Sequence, residues 1–77
     1  GKFVFNHEDM QHITMRLEKW YDVEFTYSEE TLKDLKVFGV ISRYEDITKV
    51  LKLLSATRLV SFRYANHKIM VEPYQRS

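Results

Sequence analysis

Histidines, paired acids and serines are the first residues to weigh in this sequence, because each can ligate a metal, move a proton or attack a carbonyl. His7 and His12 are five residues apart, so on a helix they do not share a face as an i, i+4 zinc pair would. His67 falls in a turn between two strand-like segments. The three read as surface histidines. The pairs Glu8–Asp9 and Glu45–Asp46 each precede a helical stretch. Paired carboxylates do acid/base work when one of them is desolvated. At a helix start the dipole favours their ionised form, so capping is the simpler role. Ser42, Ser55 and Ser61 have no base beside them in a nucleophile motif, and the two glycines are too isolated to cradle a phosphate. The chain has no cysteine, which removes disulfides and thiolate ligands. These residues imply neither an enzyme nor a bound cofactor or metal.

The elements that carry them make a small α+β domain. The 77 residues suffice for one domain, 1–77, which reads as excised from a larger protein. A chain this short buries only roughly 60% of its unfolded surface. Phe3, Val4 and Phe5 begin a strand. Asn6 is a candidate helix N-cap, with Glu8 and Asp9 in the first turn. Met10, Ile13, Leu17, Trp20 and Tyr21 then recur at helical spacing, with Met15 on the opposite side. Trp20 and Tyr21 read as core and boundary aromatics. Val23, Phe25 and Tyr27 alternate as a half-buried strand. Ser28–Leu35 reads as a loop with a helical turn, and Val37–Ile41 as a third strand. Gly39 in its middle is a sign of a bulge or a close backbone approach.

Ser42-Arg43-Tyr44-Glu45 has capping-box form. The second helix is predicted to run to about Thr57, carrying Ile47, Val50, Leu51, Leu53 and Leu54 on an arc of roughly 160°. An arc that wide implies cover on more than one side. Val60, Phe62 and Tyr64 form a fourth strand and Ala65-Asn66-His67 a turn. Lys68–Glu72 forms a fifth strand ended by Pro73, with residues 73–77 as a frayed tail.

A shift of 37 residues superposes the halves: Glu8-Asp9-Met10 on Glu45-Asp46-Ile47, Ile13 on Val50, Leu17 on Leu54, and Val23, Phe25, Tyr27 on Val60, Phe62, Tyr64. The pattern is a duplicated β-α-β unit, β-α-β-β-α-β-β in full. It fits a ferredoxin-like split sheet or, given the wide arc of the second helix, two helices packed between two small sheets.

Net charge is +1, with acids and bases interleaved, and Lys49, Lys52 and Arg58 read as a solvated face. Nucleic-acid binding needs a clustered basic surface. The RNA-recognition module shares the strand order, but Val37-Phe38-Gly39-Val40-Ile41 lacks its leading basic residue and following aromatic. No apolar run reaches membrane-spanning length. What remains is a protein-binding module. Lys68, Met70 and Glu72 are its candidate partner-binding residues, as a sheet edge open to strand addition. Met15, apolar on a polar helix face, is the fourth.

The segment Phe3-x-Phe5-Asn6, then Met10-x-x-Ile13-x-x-x-Leu17-x-x-Trp20-Tyr21-Asp22-Val23-x-Phe25, resembles the C-terminal domain of FecR-type anti-sigma factors. Phe38-Gly39-Val40-Ile41-Ser42, Ile47-x-x-Val50-Leu51-x-Leu53-Leu54 and the closing hairpin from Phe62 to Val71 extend the resemblance. The family commonly has glycine where this chain has Asp22, Leu59 and Asn66. Asp and Asn tolerate a left-handed backbone, whereas Leu59 implies a different end to the second helix. The resemblance implies a periplasmic domain of an inner-membrane regulator. Its cytoplasmic part would hold an extracytoplasmic-function sigma factor. Its periplasmic part would sense the N-terminal signalling domain of a TonB-dependent outer-membrane transducer. It also implies kinship with the short N-terminal domain of secretins and TonB-dependent receptors, the alternative parentage, and favours helices between two sheets.

Overall fold

The computed structural model describes residues 2–42 and 44–75. Their order is β1 (Lys2–Asp9), α1 (Met10–Tyr21), β2 (Glu24–Tyr27), a 3₁₀ turn (Glu30–Asp34), β3 (Lys36–Ser42), α2 (Ile47–Ser55), β4 (Val60–Ala65) and β5 (Lys68–Pro73). The strands form two sheets, not one: β1 pairs antiparallel with β3, and β5 lies between β2 and β4. The ferredoxin-like alternative is thereby excluded. α1 packs against β1 of one sheet and β2 of the other, and α2 lies against β4, so the helices sit between the sheets.

The 37-residue repeat is visible in the backbone. Asp9 and Asp46 are the two helix N-caps, and each accepts a backbone N–H of the first turn, from His12 at 3.3 Å and Thr48 at 3.1 Å. Asn6 is therefore not the first cap. β1 continues past it to Asp9, through a bulge between Phe5 and Glu8 in which His7 has φ 55°. Nor does Ser42 cap α2: its carbonyl accepts the Glu45 N–H at 3.2 Å in a preceding turn. Arg43 of that predicted box lies outside the described residues. The β1–β3 ladder obeys the same shift. Val4 faces Val40 and Phe3 faces Ile41, pairs that exchange when 37 is added to one member and subtracted from the other. A pseudo-two-fold axis thus passes through this ladder. β5 has no counterpart in the first half. It runs parallel to β2 and antiparallel to β4, filling the gap between the two equivalent strands.

The apolar stripes close one core. Met10, Ile13 and Leu17 of α1, Val50 of α2, Val60 of β4 and Ile69 and Val71 of β5 are completely buried, and Phe3, Phe5, Val37, Ile41 and Leu54 nearly so. Each such side chain contributes roughly 1.5–3 kcal/mol by leaving water. On α2 the buried stripe is narrower than the sequence implies: Val50, Leu51 and Leu54 are buried, but Leu53 remains 46% exposed. Thr14 is the buried polar residue of the core. Its hydroxyl lies 3.1 Å from the Gln11 carbonyl and 2.6 Å from the Tyr27 hydroxyl, which itself reaches the Met10 carbonyl at 3.2 Å.

Left-handed residues close the units. Asp22 ends α1 at φ 50°. After α2 the left-handed residue is Arg58, at φ 62°, and not Leu59. α2 stops at Ser55, before the predicted Thr57, and the turn is made one position early. Asn66 and His67 are both left-handed, at φ 52° and 65°, as a two-residue hairpin loop of type I′ requires. β5 includes Pro73, which faces Val60, and the Gln75 N–H donates to Ser61 Oγ at 2.9 Å. The chain is therefore held to Gln75, beyond the start of the predicted tail; Arg76 and Ser77 lie outside the described residues.

Candidate interaction surfaces

The two sheets turn different faces outward. Alternation puts Phe3 and Phe5 of β1 and Val37 and Ile41 of β3 inward, leaving Val4, Phe38 and Val40 outside at 58%, 66% and 57% exposure. Val4 and Val40 are direct cross-strand neighbours. The bulge in β1 carries the His7 ring to 5.3 Å from the Phe38 ring. The result is an apolar outer face with the polar residues Asn6, Glu8, Asp9, His12 and Lys36 beside it. Burial acts to raise the Asp9 carboxyl, but hydrogen bonds from the His12 backbone and ring, together with the His12 and Lys36 charges, hold it below its ordinary range.

The other sheet turns Lys68, Met70 and the half-buried Glu72 of β5 outward, with Arg63 and Ala65 of β4 and Thr26 of β2 around them, over an open depression of about 630 Å³. Met70 is the one large apolar side chain in that lining. Arg63 Nε donates to Glu72 Oε1 at 2.6 Å across the β4–β5 pair.

The four partner-binding candidates read from the sequence fall into two places. Lys68, Met70 and Glu72 share this outer face, but β5 is the central strand, with a ladder on each side. It cannot accept an added strand, so the expected edge is corrected. A single sequence could not place β5 inside, because the strand that flanks it is contributed from more than 40 residues upstream. Met15, half exposed on α1, lines a second cleft of about 290 Å³ with Glu18, Tyr27, Glu30 and Lys33. Thr26 lines both hollows, so Met15 and Met70 flank the edge strand β2. That edge is guarded: Glu18 Oε2 accepts the Phe25 N–H at 2.8 Å. Burial is the main cause that raises the Tyr27 phenol; the Thr14 hydrogen bond opposes it, and the charges of Glu18 and Asp9 add to it.

The sequence reading missed Val4, Phe38 and Val40 as a surface. Their signal was present as an apolar residue at every position of Val37-Phe38-x-Val40-Ile41, where a half-buried strand would alternate.

Near the helix ends, Phe3, Trp20 and Arg16 form a compact group. Ring centroids of Phe3 and Trp20 are 3.9 Å apart, and the Arg16 guanidinium lies 4.8 Å from the Phe3 ring while pairing with Glu8 at 2.9 Å. Trp20 is a boundary aromatic at 40% exposure. Tyr21 is half-buried, and its hydroxyl donates to the Glu45 carbonyl at 2.6 Å, tying the end of α1 to the entry of α2. Among the described residues no three His, Asp or Glu side chains are grouped to hold a metal, and no helix is long and apolar enough to cross a membrane.

Residues 2–71 match the family described as FecR, C-terminal. The chain belongs to the FecR C-terminal family. Two solved structures share the fold, both of a protein assigned as an anti-sigma factor from Parabacteroides distasonis. One is 19% identical with a TM-score of 0.80 over 100% of this chain, the other 17% identical with a TM-score of 0.83 over 97%. This chain spans 35% of the length of each solved chain. No curated protein matches the sequence.

Proposed function

We propose that this FecR C-terminal domain is the periplasmic protein-interaction module of a transmembrane anti-sigma factor. It relays a signal from the N-terminal signalling domain of a TonB-dependent outer-membrane transducer to an extracytoplasmic-function sigma factor. The sigma factor is held by a cytoplasmic part of the parent protein, not by this domain. The reading is supported by the family match and by the anti-sigma assignment of the proteins that share the fold. The observation that carries the binding role is the surface bracketing β2: two hollows that meet at Thr26, one holding Met15 and the other Lys68, Met70 and Glu72. Isolated methionines on a polar surface adapt their shape to a partner, and the surrounding charges supply orientation. Contact there is made by side chains, because Glu18 occupies the outward amide of Phe25.

Calorimetric titration with the signalling domain of the transducer encoded beside the parent gene tests this. Binding is expected, weakened at least about tenfold by Met70→Glu, since a central contact residue contributes of order 1.4 kcal/mol or more. No heat, together with no change in sedimentation on mixing, would contradict it.

A further inference from the structure

Among the described residues four strand edges face away from their sheets, and three of them are obstructed. β1 is broken by its bulge at Asn6 and His7. The outward Phe25 amide of β2 is taken by Glu18. β4 carries Arg63 at its middle, so pairing with its own copy about that residue would oppose like charges. Among the described residues β3 shows no bulge of its own and no outward amide taken by a side chain, and its one charge, Lys36, stands at its first position. It is seven residues long, its ladder runs only to β1, and Phe38, Gly39 and Val40 are exposed in sequence. Natural edges this long are normally blunted by a charge, a proline or a bulge.

Gly39 is a second, independent sign. Its φ is not positive, and nothing lies within 4 Å of where a Cβ would stand. Neither conformation nor crowding within one molecule calls for glycine, which weakens a strand relative to alanine. A glycine in a strand marks a bulge, a bend or a close backbone approach; Gly39 stands opposite Phe5 at the edge of the β1 bulge, and its outward side is open to a second backbone.

The β3 sequence is self-complementary about this residue. Laid antiparallel on a second copy with Gly39 facing Gly39, Phe38 stands opposite Val40 on the outer face and Val37 opposite Ile41 on the inner face. Lys36 stands opposite Ser42. Aromatic and β-branched pairs of this kind stabilise a ladder, and no like charges meet. The axis is perpendicular to the sheet, so both copies keep their helices on the same side and the contact is isologous. It repeats between molecules the two-fold relation that already joins β1 to β3 within one.

We propose that β3 is a homodimerisation edge, giving a continuous four-stranded sheet in the order β1–β3–β3–β1 across two copies. A seven-residue ladder buries less than the roughly 1,000 Å² that a stable interface clears, so the association is weak and concentration-dependent. It would be reinforced wherever membrane anchoring concentrates the parent protein. This inference does not depend on the transducer assignment.

The absence of cysteine makes the register measurable. Gly39→Cys has room for its side chain, and under mild oxidation it should form a disulfide-linked dimer at least about tenfold faster than Thr26→Cys on β2, because pairing holds the two thiols together. Sedimentation equilibrium of the unmodified chain should show a monomer–dimer equilibrium. Phe38→Lys and, separately, Val40→Thr should weaken it while leaving the melting temperature unchanged. A chain that stays monomeric at every concentration would overturn the proposal. So would equal cross-linking rates at positions 39 and 26. Protection of the β3 amides that arises only when the transducer's signalling domain is added would assign the edge to that partner instead, and would equally overturn it.

Discussion

The two sheets of this domain solve the same problem differently. In the three-stranded sheet, β5 is paired on both sides, Met70 is the one large apolar side chain lining the hollow on its outer face, and the β2 edge is guarded by Glu18. In the two-stranded sheet the inner face is as well buried, but the outer face shows Val4, Phe38 and Val40 and the β3 edge is open. The difference teaches where stability and association divide. One sheet is finished within the molecule. The other is a ribbon of two strands, held from within by the helix layer against its inner face and left open along β3.

The division can be broken first at its strongest point. Ile69, completely buried on the central strand, should cost about 2–5 kcal/mol on change to alanine in a denaturant-unfolding measurement. Phe38→Ala on the open face should cost less than about 0.5 kcal/mol in the same measurement. Equal losses would end the distinction between a finished and an unfinished sheet.

A smaller effect is expected where β2 meets α1. Tyr27→Phe removes the hydroxyl shared with Thr14 and the Met10 carbonyl, at a cost of about 1 kcal/mol. The raised Tyr27 phenol also sets a sign. The folded state keeps the proton longer, so its contribution is complete below the ordinary phenol range and is lost as pH rises through the folded value. Stability of the Phe variant should therefore fall less steeply at alkaline pH, as followed by circular dichroism.

The helix caps are comparable in size. Asp46→Ala should cost about 1 kcal/mol. Asp9→Asn keeps a competent cap but removes the charge that His12 and Lys36 hold in its ionised form. With the carboxyl below its ordinary range, its contribution is present above that range and fades as pH falls through the folded value. The variant's acid unfolding limb should be shallower. Smallest of all, Arg63→Ala should change stability by no more than about 0.5 kcal/mol, because the Arg63 side chain is exposed and its pair with Glu72 is screened.

Much of this fold was legible because its signals are local. The stripes of Met10, Ile13 and Leu17 and of Val50 and Leu54, and the alternation of Val23 and Phe25, depend on one element's period. The 37-residue shift is repeated in the caps Asp9 and Asp46 and in the β1–β3 register. The two-sheet packing was anticipated partly for an insufficient reason, since Leu53 widens the apolar arc of α2 yet stays exposed. Asn6 was a plausible cap by residue type, but a bulge let β1 continue to Asp9. The edge strand was misplaced because strand order is decided by contacts far apart in sequence, and nothing in Lys68–Glu72 records which neighbours it acquires. The outer face of β3 was overlooked because its residues read equally well as core.

On the function proposed above, the surface bracketing β2 receives the transducer's signalling domain. Amide hydrogen exchange of this chain, alone and with a saturating amount of that domain, tests it most directly. Added protection is expected at the exposed α1 turn around Met15, at β2 and around Met70. Binding that leaves these amides unchanged and protects another surface would contradict it.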